Sequence, residues 1–133
     1  MIEVTDQEFD AIISAAMDEL PQEYIAGLNN IAVTYEDDPT PEQRKKLKLR
    51  CNETLFGLYE GIPQTKLPAA VSGISGNVMV MPDKITIFKN PIRRATKDLA
   101  EFKRQVKHTL WHEIAHYYGL DHERIHEIER RAL

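Results

Sequence analysis

Apolar residues recur at helical intervals near the start of the chain. Thr5 and Glu8 stand three residues apart, which is the spacing of a capping box, and apolar side chains follow at positions 9, 12, 13, 16 and 20. This pattern predicts an amphipathic helix that ends at Pro21. A short helix over 22–28 should follow, and then a strand over 30–37 in which apolar positions alternate with small or polar ones.

The segment 41–53 is strongly basic, with cationic side chains at Arg44, Lys45, Lys46, Lys48 and Arg50. Two interpretations stay open for it: a patch that binds phosphate, or a solvated helix or loop. After it, the residues 54–61 predict a short strand. The stretch 62–77 is rich in Pro, Gly and Ser and predicts an irregular loop.

A β-hairpin is predicted over 78–88. Its two strands are the apolar runs 78–81 and 85–88, and Pro82 and Asp83 between them favour a turn. Either strand is a candidate for the edge of the sheet.

The stretch 91–119 is predicted to be helical for most of its length, with an apolar stripe. Asn90 and Pro91 are residue types favoured at an N-cap and at a first helical position. The stripe consists of Leu99, Phe102, Val106, Leu110 and Ile114. Gly119 is expected to end this helix in the left-handed conformation, which allows the backbone to reverse direction.

Composition and charge limit the class of protein. A chain of 133 residues with 42% apolar content and no linker-like stretch predicts a single domain over 1–133. Its net charge of -4 gives no sign of a nucleic-acid or membrane partner. Cys51 has no second cysteine to pair with, and the acidic N-terminus is unlike a secretory signal. We therefore expect a cytoplasmic protein without a membrane span.

All five histidines of the chain lie between positions 108 and 126. His112 and His116 are four residues apart, so on a helix their rings project from one face and can grip one metal ion. Glu113 lies about 100° around the helix axis from His112, close enough for its carboxylate to touch a water molecule on that ion. This is the HExxH arrangement.

Two imidazoles leave a zinc site incomplete, because a catalytic zinc ion takes three protein ligands and one water molecule. A turn at Gly119 can bring His122 beside His112 and His116, which gives the string HExxHxxGxxH. This longer string is far rarer by chance than HExxH alone. The sequence therefore predicts one Zn²⁺ per chain, bound by His112, His116 and His122, with Glu113 as the catalytic residue.

The predicted chemistry is hydrolysis of a peptide bond. Zinc on three neutral imidazoles lowers the pKa of its bound water, and Glu113 can accept the proton and pass it to the leaving amine. A peptide substrate can then add as a strand along the edge of the hairpin. The structural alternative is a helix whose histidines are satisfied by hydrogen bonds. His108 and His126 fall outside the motif and are predicted to be ordinary surface residues.

The chain resembles the zincins at this motif, and its Gly119 and His122 extension resembles the metzincin consensus. The stretches "ELPQEYIAGLNNIAVTYEDDP", "LFGLYEGIP", "MPDKITIFKNPI" and "HEIAHYYGLDHERI" also resemble, in order, a family of small bacterial proteins regarded as minimal zincin metallopeptidases. This resemblance implies an α+β zincin-like domain with a small mixed sheet, the edge hairpin, an N-terminal helix and a C-terminal active-site helix. Many family members carry Asp at the position of His122, and either residue can bind zinc.

The resemblance to metzincins is incomplete. The Met-turn of that group lies downstream of the third ligand, whereas all four methionines of this chain lie upstream of His122. The floor of the metal site must therefore come from other residues, and proteolysis follows less directly from the sequence than zinc binding. Tyr59, Tyr117 and Tyr118 are candidate oxyanion donors, although aromatic residues next to a helix are more often part of the core.

Two other interpretations of the function stay open. The spacing of His112, His116 and His122 is similar to the HxxxHxxxxxH signature of a bacterial endoribonuclease family of ribosomal-RNA maturation. Positive charge near the metal would then come from Arg93, Arg94, Lys97, Lys103, Arg104 and Lys107. The Glu113 carboxylate would repel phosphate, so a peptide or protein substrate is preferred. The non-catalytic reading is a zinc-binding module in which Asp121 or Glu123 supplies a fourth ligand.

Overall fold

The computed structural model describes residues 2–50, 56–61 and 83–132. In chain order, their elements are α1 (Asp6–Glu19), α2 (Gln22–Ala26), β1 (Ile31–Glu36), α3 (Pro41–Arg50), β2 (Gly57–Glu60), β3 (Asp83–Phe88), α4 (Lys89–Ala95), α5 (Leu99–Tyr117) and α6 (His122–Ala132). This is the predicted α+β class, with a small mixed sheet and helices on it. The predicted loop 62–77 lies outside the described residues. No helix within the described ranges is long and apolar enough to cross a membrane.

Helix α1 begins where the sequence predicts. The Thr5 hydroxyl accepts a hydrogen bond from the Glu8 amide, and the Glu8 carboxylate accepts one from the Thr5 amide, so the capping box is complete. The helix buries its apolar face against α5, and the rings of Phe9 and Phe102 meet edge to face with centroids 5.7 Å apart. The N-terminal helix thus supports the long helix from one side.

The three strands form one sheet in the order β1-β3-β2. Strand β3 runs parallel to β1, with Ile31 opposite Asp83, and antiparallel to β2, with Gly57 opposite Ile87. The second strand of the predicted hairpin, 85–88, was a candidate for the sheet edge. This prediction is wrong, because these residues belong to β3, the central strand of this sheet. A strand with partners on both sides has no free backbone groups to offer a peptide. The first predicted strand, 78–81, lies outside the described residues.

The region 91–119 is helical for most of its length, as predicted, but it is divided into two helices. Helix α4 ends at Ala95, the backbone is extended at Thr96 and Asp98, and α5 starts at Leu99. The Asp98 carboxylate accepts a hydrogen bond from the Glu101 amide and caps α5. The cap explains the break, because Asp in this role requires a non-helical backbone.

The start of α4 also differs from the prediction. The helix begins at Lys89 after an uncapped Phe88, so Asn90 is not its N-cap. The Asn90 side chain instead donates to Asp38 and accepts from Arg93. This side chain links α4 to the segment after β1.

Helix α5 crosses the core. Phe102, Val106, Leu110 and Ile114 are fully buried as the stripe predicts, whereas Leu99 is exposed in the first turn. Each large apolar side chain removed from water in this way contributes about 1.5–3 kcal/mol to the free energy of unfolding. The helix that carries the histidines is therefore anchored along its length.

Candidate metal centre

His112 and His116 lie on one face of α5, one turn apart. Their ring centroids are separated by 4.5 Å. His112 is buried, and the His116 side chain is 21% exposed, so the pair opens toward solvent on the His116 side. The helix that carries this face is packed into the core by its buried apolar stripe, and strand β2 packs against it.

Glu113 is buried next to the two rings, with its side chain 2% exposed. One carboxylate oxygen, Oε1, lies 3.4 Å from Nδ1 of His116. The other, Oε2, is buried and has no hydrogen-bond partner within the described part of the chain. A buried carboxylate oxygen without a partner is costly, and a bound cation or its water ligand would satisfy it. The residues present therefore fit a divalent metal ion.

The electrostatic environment favours the neutral form of His112. Burial lowers the pKa of this imidazole, and the neighbouring rings of His116 and His122 lower it further, against the opposing charge of Glu113. A neutral imidazole is the form that binds metal, so His112 is prepared for ligation at lower pH than an exposed histidine.

Gly119 reverses the chain after α5. Its φ is +71°, in the left-handed region that favours glycine. The Gly119 amide donates to the His116 carbonyl and the Leu120 amide to the Ala115 carbonyl, which together form a Schellman motif. The prediction for this glycine is confirmed in both its conformation and its place.

Helix α6 starts directly after this turn, at His122. The Asp121 carboxylate accepts a hydrogen bond from the Arg124 amide and caps the helix. Asp121 therefore has a structural role, which weakens its candidacy as a fourth metal ligand. Glu123 is exposed in the first turn of α6.

The turn brings His122 toward the two histidines of α5. The His122 ring centroid lies 5.9 Å from that of His112 and 6.5 Å from that of His116. The tightest group of potential ligands is formed by His112, Glu113 and His116, whose ligand atoms lie within 4.8 Å of one another. His122 lies next to this group but is not part of it. Its role as the third ligand stays a prediction.

Strand β2 forms a wall directly beside the group. A Cβ atom on Gly57 would lie 2.7 Å from Cγ2 of Thr109 and 3.3 Å from Cγ of Glu113. Only a residue without a side chain allows the strand to approach this closely. The sheet thereby holds the Glu113 side chain in place.

The three tyrosines considered as oxyanion donors make structural hydrogen bonds. The hydroxyl of Tyr59 donates to the Asp83 carboxylate, that of Tyr117 to the Asn29 carbonyl and that of Tyr118 to the Tyr24 carbonyl. These bonds agree with the reading of the tyrosines as core residues.

One residue near the histidines was not predicted. Glu129 of α6 contacts His108 and His126, and its side chain is only 13% exposed. The spacing of three residues between His126 and Glu129 is enough to predict their contact on a helix. The contact with His108 cannot be predicted in this way, because it requires the chain reversal at Gly119. His108 and His126 are half exposed, as predicted for surface residues, yet both face this carboxylate.

Several of the basic residues considered for RNA binding are paired with acidic groups. Arg93 contacts Glu3 at 3.1 Å, Arg94 contacts Asp38 at 3.3 Å and Lys107 contacts Glu19 at 3.5 Å. Cations that already face carboxylates have less charge to offer a phosphate backbone.

Sequence comparison agrees with this arrangement. The profile of a family described as zincin-like metallopeptidases matches residues 28–132, which include the sheet, α5 and α6. No curated protein matches the chain. The match extends over most of the chain and includes the histidines, Glu113 and Gly119, and the chain therefore belongs to the zincin-like metallopeptidase family.

Proposed function

We propose that the protein is a zinc-dependent metallopeptidase. The observation that carries this proposal is the buried Glu113 carboxylate next to His112 and His116, one oxygen of which has no hydrogen-bond partner among the residues that the structure describes. One Zn²⁺ would be held by His112, His116 and His122, and it would supply Lewis-acid polarisation and an activated water. The family of the chain supports hydrolysis as the reaction class.

Glu113 acts as the general base and then as the general acid. Its Oε2 accepts the proton from the water that attacks the scissile carbonyl, and the same oxygen delivers that proton to the leaving amine. The attack forms a carbon–oxygen bond, and collapse of the tetrahedral species then breaks the carbon–nitrogen bond and leaves a carboxylate and an amine. The close approach of β2 to the Cγ atom of Glu113 limits the space available to this side chain.

His112 and His116 keep the site ready for a cation. Burial favours the neutral imidazole of His112, and the helix fixes both rings one turn apart. We propose that the substrate peptide adds to the strand predicted over 78–81, because the described strand β3 is central in its sheet.

The test is incubation of zinc-loaded protein with an unbiased peptide mixture and, separately, with single-stranded RNA. Products of both reactions are identified by mass spectrometry. We expect new peptide termini and intact RNA. Cleavage of RNA alone would favour the endoribonuclease reading, and a zinc-loaded protein that cleaves neither substrate would favour the non-catalytic zinc-binding module.

A further inference from the structure

Three polar side chains of α6 lie in a row on one face of that helix. His122, His126 and Glu129 follow each other at intervals of four and three residues, the spacing that makes side chains neighbours on a helix. The ring centroids of His122 and His126 are 6.5 Å apart, with their planes inclined by 31°. Nδ1 of His126 lies 3.4 Å from Oε2 of Glu129. One imidazole therefore stands between the predicted third metal ligand and a carboxylate.

The Glu129 carboxylate is largely buried, with its side chain 13% exposed. Because a carboxylate only accepts hydrogen bonds, Nδ1 of His126 is the donor to Oε2. The other oxygen, Oε1, is buried and has no hydrogen-bond partner within the described ranges, since Nδ1 of His108 is 3.7 Å away. A buried carboxylate oxygen without a hydrogen bond is costly, so its presence beside the histidines calls for a reason.

The backbone that carries Glu129 is fixed against α5. Ile125 and Ile128 are buried, and the Trp111 indole donates a hydrogen bond to the Ile125 carbonyl at 3.3 Å. The imidazoles of the row are less confined, because His126 is 49% exposed and His122 is exposed at the first residue of α6. The buried carboxylate is therefore the anchored end of the row.

The negative charge of Glu129 also reaches the metal centre. Burial has the largest influence on the pKa of His112 and lowers it, whereas the charges of Glu113 and Glu129 act in the opposite direction. A zinc ion on three neutral imidazoles carries two positive charges, and Glu113 balances one of them. A second buried carboxylate near the ligands favours the binding of a divalent cation.

We propose that Glu129 is a positioning residue of the metal centre, which acts through His126 to hold the His122 ring in the orientation needed for metal binding. This inference rests on the zinc site of the proposed function, with His122 as its third ligand. Carboxylates outside the ligand shell orient metal-binding imidazoles and strengthen metal binding, and here the carboxylate acts through an intervening imidazole. In this role Glu129 does not bind the metal itself.

The first test measures zinc affinity by competition with a chromophoric chelator, with folding checked by circular dichroism. Glu129→Gln keeps the shape of the side chain but removes its charge, and it should weaken zinc binding about 10–100-fold. His126→Ala changes a half-exposed side chain and should weaken binding by a similar factor. Glu127→Gln is the matched control on the same helix, where the side chain pairs with Arg124 at 3.1 Å, and it should bind zinc as the wild type does.

A double-mutant cycle with His122→Ala tests the path of the effect. Because Glu129 acts through His122, Glu129→Gln should cause little further loss of zinc affinity in the His122→Ala background. The same loss in both backgrounds would overturn the proposal, and so would wild-type zinc affinity in His122→Ala. Wild-type affinity in Glu129→Gln, together with weakened binding in His122→Ala, would overturn the proposal and leave the zinc site intact.

Cobalt in place of zinc reports on the ligand geometry, because Co²⁺ absorbs visible light strongly in a tetrahedral site and weakly when water raises its coordination number. Fully loaded Glu129→Gln and His126→Ala should shift the spectrum toward that of His122→Ala, while Glu127→Gln keeps the wild-type spectrum. A wild-type spectrum in Glu129→Gln would contradict the positioning role. Neither measurement uses peptide cleavage, so a protein that shows these effects but cleaves no peptide fails the proposed function and supports this inference. A wild-type protein that binds no zinc would overturn both.

Discussion

Gly57 of β2 faces Thr109 of α5 so closely that a methyl group on the glycine would lie 2.7 Å from Cγ2 of the threonine. The contact couples the sheet to the helix one turn before Glu113. Gly57→Ala should lower the free energy of unfolding by about 1–3 kcal/mol, because the added carbon overpacks a site that is already filled. Urea denaturation of the metal-free protein measures the loss.

The matched control for this prediction removes the opposing methyl group. Thr109→Ser keeps the hydroxyl that accepts from Gln105 and deletes only Cγ2. The double variant Gly57→Ala/Thr109→Ser should lose less free energy of unfolding than the two single variants lose together, which is a favourable coupling. Strictly additive losses would show that the two residues do not press against each other.

Gly119 sets the angle between the helices that carry the histidines. Gly119→Ala should cost about 1–2 kcal/mol of stability, because an L side chain is strained at its φ of +71°. Zinc affinity should fall as well, since the turn places His122. Gly119→Asn is the control, because asparagine tolerates this conformation better than alanine. Equal zinc affinity in all three proteins, measured by calorimetry, would argue against His122 as a ligand.

Glu113→Gln separates metal binding from hydrolysis. The amide has nearly the same shape but accepts no proton, so peptide cleavage should fall by roughly 10²–10⁴-fold while zinc content stays unchanged. Glu42→Gln, an exposed change on α3, should leave both properties intact. Cleavage rates and metal content are measured on the same preparations. Wild-type cleavage by the Glu113 variant would remove this residue from the mechanism.

Burial of His112 predicts a pH dependence for the metal-free protein. Because folding lowers the pKa of this imidazole below its ordinary value of about 6.5, the unfolded chain binds more protons just below that pH. The contribution of His112 to stability is therefore complete above about pH 6.5 and is lost as the pH falls through the folded pKa. Urea denaturation between pH 5 and 8 in chelator should show stability decreasing toward acid. His112→Asn should flatten this slope, and an unchanged slope would contradict the assignment.

Local signals in the sequence predicted much of what is found. The Thr5–Glu8 capping box, the strand β1 and the left-handed Gly119 all depend on residues close in the chain, and the structure confirms them. The break before α5 was missed because continuous helical periodicity outweighed the capping signal of Asp98. Leu99 is exposed for the same reason, since it lies in the first turn of a separate helix.

Long-range pairing was harder to predict. The sequence places 78–88 together as a hairpin, but the register of β3 between β1 and β2 depends on contacts between distant segments. The contact of Glu129 with His108 similarly spans two helices and a turn. Motif spacing identified the candidate ligands His112, His116 and His122, whereas the packing of Gly57 on Thr109 follows only from the folded chain.

The central claim is that His122 completes a zinc site with His112 and His116 next to Glu113. Its most direct test is an anomalous difference map, collected at the zinc absorption edge, from crystals of zinc-loaded protein. We predict a peak about 2.0–2.1 Å from a ring nitrogen of each of the three histidines. A map with no peak between the rings, or with a zinc ion there and the His122 ring turned away from it, would contradict the account.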